Sequence, residues 1–164
     1  MSCFQPFVVP SVHTPYAALQ CCGKRDSKMT KTVRVFETGS VFADFFMENT
    51  PQNVVCGGFN ADLGVIMPGY DKPAEGKFGI LLMPEGCDAS ARAENILTYG
   101  MASRNAVTLS SVGEKWCVLT IQREIVTLWG NILEPQDVVI PRMHLEPHCA
   151  LAASAALLIA GAGI

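Results

Sequence analysis

Few residues in this chain have the types and spacing that chemistry requires. Gly76-Lys77 closes the turn-rich polar stretch 69–77 and looks like the end of a phosphate-binding loop. Such a loop needs glycine where Asp71 stands and a hydroxyl residue where Phe78 stands. The glycines let backbone amides converge on phosphate, and the hydroxyl holds Mg²⁺. With both missing, 69–77 reads as a surface loop. Gly57-Gly58, with Gly64 beyond, permits close backbone approach to a ligand, yet lacks the GxGxxG spacing of a dinucleotide site. A turn is the simpler reading.

His144 and His148, with Cys149 adjacent, would share one face of a continuous helix and so resemble a zinc pair. Pro147 argues against a helix running through both. Glu146 and Pro147 instead suit the opening of a helix, and no metal site is expected. Cys87 precedes a predicted helix that Asp88 caps and that runs through Glu94; a helix N-terminus lowers a thiol pKa. Its base would have to be His13, His144 or His148, and no pattern brings one near. Ser110-Ser111 lie in a strand-like run, not at a GxSxG elbow. Arg104-Asn105 and Arg123-Glu124 read as solvated or paired surface residues. No catalytic residue, metal or cofactor is therefore expected, and the candidate ligand-binding residues are Gly57, Gly58, Lys77 and His148.

The elements that must position them follow from periodicity. Residues 1–28 show neither strand alternation nor helical spacing, and Pro6, Pro10 and Pro15 interrupt them. They read as a poorly ordered extension in which Lys24, Arg25 and Lys28 form a solvated cluster, and Met29 would serve as a start. Residues 29–164 read as one globular domain. Thr32 to Phe36 is a predicted strand. Ser40 is the expected cap of a helix from Val41 to Glu48, with Val41, Phe42, Phe45 and Phe46 on its packed face. Val54 to Cys56, Leu63 to Met67 and Phe78 to Met83 are short apolar runs that suit buried strands.

From Ile96 short strands follow one another, and an antiparallel sheet is expected. Trp116 to Arg123 alternates cleanly, with Cys117, Leu119 and Ile121 on one face; Glu124 to Leu128 extends it or begins a further strand. Gly130-Asn131 predicts a two-residue hairpin. Pro135 and Pro141 make Val138 to Ile140 an edge strand. The Ala-rich run from Cys149 to Ile164 reaches about 24 Å as a helix, short of the roughly 30 Å core of a bilayer. It reads as a core helix, buried nearly all round, and not as a membrane span.

Composition narrows the function classes. With 49% hydrophobic residues, 16% charged residues and a net charge of −3, the chain lacks the basic footprint that nucleic acid requires. So apolar a surface predicts a homodimer or a protein partner. The seven cysteines form no CxxC and lie mostly in apolar runs, which suits free thiols in a reducing cytoplasm.

The second half also resembles a known family. Ile96-Leu97-Thr98-Tyr99-Gly100, followed by small strands, is similar to the latter part of the Mur ligase central domain, where a TYG-like strand end precedes a β-rich flap. His148-Cys149-Ala150-Leu151-Ala152-Ala153 resembles that family's Ala-rich helix after a His-Asn motif. The similarity covers roughly residues 80–164. It departs at the phosphate loop, at Leu82-Met83-Pro84-Glu85 where the family carries an Asn and paired acids, and at Cys149 where it has Asn. The resemblance thus implies the family's fold without its nucleotide-binding residues.

Taken together, the expectation is an α/β (or α+β) domain with a small mixed sheet, an antiparallel C-terminal part and a buried C-terminal helix. The leading functional expectation is a non-catalytic cytoplasmic, bacterial binding or assembly domain. Its rival is a small nucleotide-binding enzyme that uses the stretch from Gly57 to Lys77.

Overall fold

A computed structural model describes residues 29–142 and 144–162; the expectations for residues 1–28 lie outside the described residues. The order is β1 (Lys31–Phe36), α1 (Val41–Asn49), β2 (Val54–Cys56), β3 (Ala61–Ile66), β4 (Lys77–Pro84) and β5 (Arg92–Gly100). Then come β6 (Val107–Val112), β7 (Trp116–Ile121), β8 (Ile125–Val126), β9 (Ile132–Leu133), β10 (Gln136–Pro141) and α2 (Pro147–Ala160). Eight strands form one mixed sheet in the order β10-β7-β6-β5-β4-β3-β1-β2, and β8 pairs with β9 apart from it. From β2 to β6 every pairing is parallel; β7 and β10 run antiparallel to their neighbours. The burial follows: β3 and the middle of β4 are apolar on both faces, as interior parallel strands are, whereas β7 alternates.

Both helices cover one face. There Phe42 and Phe46 of α1 join Leu63, Leu82, Leu97, Leu119 and the α2 side chains in the main core. Ten of the residues of α2 are buried, from Ala150 to Ala160 with Leu158 half-exposed, as its composition predicts. Gly161 ends the helix at φ 81, and the Ala162 N–H donates back to the Leu157 carbonyl. The other face carries a smaller core of Phe36, Ile66, Phe78 and Leu81. Segments 67–76 and 85–91, which join parallel neighbours without a helix, cover it with Tyr70, Ala74, Cys87, Ala89 and Ala91.

Several expectations need correction. Asp88 caps no helix: 87–91 is irregular and Arg92–Gly100 is a strand, its polar start exposed at Arg92, Glu94 and Asn95. That strand is parallel to both neighbours, so the antiparallel part begins at β6–β7 and not at Ile96. The run after Trp116 breaks at the exposed polar residues 122–124, and Ile125–Val126 enters the separate sheet. The Gly130-Asn131 hairpin is longer than two residues: 127–131 forms the link, and the Thr127 N–H donates to the Asn131 carbonyl. Val41 is 74% exposed; it lies roughly a quarter-turn off the stripe centred on Phe42, Phe45 and Phe46. Asn105 is buried, where a surface position was expected, because its amide donates to Glu85 and to the Ala102 carbonyl.

Candidate ligand site at the free edge of the first strand

Gly57 and Gly58 leave β2 at φ values of 144 and 88, a backbone that side chains disfavour. They carry the chain across β1 on the face away from α1, to Asn60 and the start of β3. Arg34 fixes this crossing. Its Nη1 donates to the carbonyls of Phe59 and Glu75, both at 3.1 Å, and its guanidinium lies 4.7 Å from the Phe36 ring centre and 5.5 Å from that of Phe59. One cation thus ties together the crossing and the 67–76 loop. Gly76 completes the contact, since a Cβ there would fall on the Phe59 carbonyl oxygen.

Because β2 ends at Cys56, opposite Val33, β1 runs on alone past it. An open depression of about 450 Å³ fills the gap, lined by Val35, Ala43, Cys56, Gly57, Gly58 and Phe59 among others. Ladder logic shows what faces it. The Gly57 N–H donates to the Val33 carbonyl and the Met67 N–H to that of Phe36. In a parallel strand successive residues bond to opposite sides, so Val33 faces β2 and Phe36 faces β3. Val35 therefore turns its N–H and C=O toward the depression, where no described residue meets them.

The remaining candidates separate. The Lys77 backbone N–H donates to Asn60 Oδ1 at 3.0 Å, and its side chain lines a second depression of about 350 Å³ with Arg92 and Glu94. Lys77 opens a strand, not the helix that follows a phosphate loop. His148 is exposed in the first turn of α2. Its neighbour Cys149 adds, after burial, to the raised pKa of Tyr99, which pairs with Pro84 at the far end of β4. Strand β4 is roughly 25 Å long at about 3.3 Å per residue, so Lys77 and His148 occupy opposite ends of the sheet. Gly57 and Gly58 line one depression and Lys77 another, joined through the Lys77 N–H bond to Asn60; His148 lies at the far end of the sheet.

The α/β crevice, outside the carboxyl ends of the strands where the order reverses, falls between β1 and β3. There the Glu37 carboxylate accepts from the N–H groups of Phe42 and Ala43 at 3.0 and 2.8 Å. It satisfies the start of α1 in place of Ser40, which makes no side-chain cap bond. Tyr99 donates its phenol to the Ile66 carbonyl at 2.7 Å, and burial, ahead of the nearby Cys149 and Cys87, raises its pKa. Glu85 accepts from Asn105 and Arg104, and those bonds, Asn105 first, lower its pKa.

The described thiols, Cys56, Cys87, Cys117 and Cys149, are all unpaired. Burial pushes Cys56 up; burial and then Asp88 push Cys87 up; burial and then Glu146 push Cys149 up. Cys87 in particular lacks the helix start that would have activated it. Among the described residues no group of three or more His, Cys, Asp or Glu is placed to hold a metal, and no helix is long and apolar enough to cross a membrane.

Sequence reasoning missed Val35, whose relevant groups belong to the backbone. Its only signal was the brevity of Val54–Cys56 beside a longer partner strand. No protein-family model, curated protein or solved structure matches this chain.

Proposed function

We propose that the chain is a non-catalytic binding or assembly domain of the bacterial cytoplasm, a reduced form of the Mur-ligase-like central domain that its second half resembles. One observation carries the proposal: the crevice where an open α/β sheet receives its ligand is occupied by the chain's own groups. Glu37 sits on the α1 amides, and at neighbouring strand ends Tyr99 sits on Ile66 and Glu85 on Asn105 and Arg104. A nucleotide phosphate would have to displace a carboxylate from the helix start. A partner is supported by apolar side chains on the sheet face beyond the loop cover, where Trp116 is 48% and Val139 is 66% exposed. Thermal unfolding with and without Mg-ATP is the test. A ligand at 100 times its Kd adds about 2.7 kcal/mol. No shift is expected; a clear shift that Lys77→Ala abolishes would establish the rival enzyme reading instead.

A further inference from the structure

We infer that the depression beside β1 is a strand-addition site, which accepts a short extended peptide carrying small apolar side chains as a continuation of β2. The inference rests on the binding-domain reading and names the chemistry of its partner. Val35 presents one N–H and one C=O side by side, facing the open depression where β2 turns away at Gly57. A neighbouring backbone, about 4.8 Å distant, offers the matching acceptor and donor at that spacing. Main-chain bonds of this kind give strand-addition sites their affinity, and the side-chain walls give them selectivity.

The walls fit a neutral chain. Val35, Ala43, Cys56 and Phe59 are apolar, and the one charged residue among them, Arg34, has its guanidinium engaged by two carbonyls and two rings. A phosphate or carboxylate would find no unengaged cation in the depression, and partial burial pushes the Cys56 thiol pKa up, away from the charged form. Complementarity of charge therefore selects an amide backbone over an anionic metabolite.

The probe is the capped pentapeptide acetyl-Thr-Val-Thr-Val-Thr-amide, compared with its fully N-methylated analogue, which cannot donate. Amide hydrogen exchange of the full chain is read by NMR. At saturating peptide, exchange at Val35 is expected to slow at least tenfold, while Val33, already inside the β1–β2 ladder, is unchanged; the analogue has no effect. Ala43→Phe, which fills the depression, is expected to abolish the protection. If that variant does not fold, the analogue in the natural chain decides. Unchanged exchange at Val35 with millimolar peptide, or equal protection by the analogue, overturns the inference. Protection of Val35 by Mg-ATP would overturn the binding-domain reading itself, so the two fail by different results.

Discussion

The two edges of the main sheet are built differently. At one edge β10 runs six residues along β7. The Arg142 N–H donates to the Lys115 carbonyl, so by antiparallel alternation Ile140 and Val138 also face inward, while Pro141, Val139 and Asp137 face out. Proline thus occupies an outward position, where its missing N–H costs the ladder nothing and denies a donor to any newcomer. Asp137 adds a charge, although Thr120 bonds to it. This edge is defended. At the other edge β2 is only three residues long and is followed by two glycines, leaving Val35 of the next strand with main-chain groups that no described residue meets. Long and guarded by proline and a charge at one side, short and ending at a glycine turn at the other, the two edges differ in how readily each would take an added strand.

Breaking the core removes both edges together and should have the largest effect. Leu157 is 6% exposed and packs in the main core. Leu157→Asp forfeits roughly 2 kcal/mol of burial and adds the larger cost of an unpaired buried charge. Circular dichroism should show no cooperative melt; a cooperatively melting variant would contradict the placement of α2 in the core.

Arg34→Ala separates the edges. Two hydrogen bonds and two ring contacts vanish, at a cost of about 1–2 kcal/mol. Hydrogen exchange should accelerate at Gly57, whose N–H donates to the Val33 carbonyl, while Val138 and Ile140 stay protected. Equal acceleration at both edges would mean that Arg34 does not act locally.

Pro141→Thr tests the defended edge and should barely move stability, within about 0.5 kcal/mol. With a donor restored in the outward row, sedimentation velocity should reveal more concentration-dependent self-association than the natural chain shows under the same conditions. A variant that sediments no differently would show that Asp137 suffices as the guard.

Much of the fold was legible because its signals are side-chain signals. Alternation in Trp116–Ile121 and the unbroken apolar run within Lys77–Pro84 follow directly from one-sided and two-sided burial. The Ala-rich α2, closed by Gly161, was equally plain. Where the reading failed, the environment had weakened the pattern. Strand β5 begins with exposed Arg92, Glu94 and Asn95, so polar residues after Asp88 resembled a helix start. Its parallel direction depends on how segment 85–91 crosses the sheet, which no local periodicity records. The candidate site was half legible. Gly57-Gly58 marked an unusual turn, but the groups it exposes are an amide and a carbonyl common to every residue. His148 was grouped with Lys77 on residue type alone, and the length of β4 keeps them apart.

The two tryptophans sit in sharply different surroundings. Trp116 lies on the open sheet face beside the defended edge, 48% exposed, whereas Trp129 is half-buried and donates its indole N–H to the Ala160 carbonyl at 2.9 Å, at the end of α2. The chain therefore carries its own pair of fluorescent reporters. An aqueous quencher should dim the first before the second, and the part of the emission that resists quenching should redden only when the terminal helix comes away.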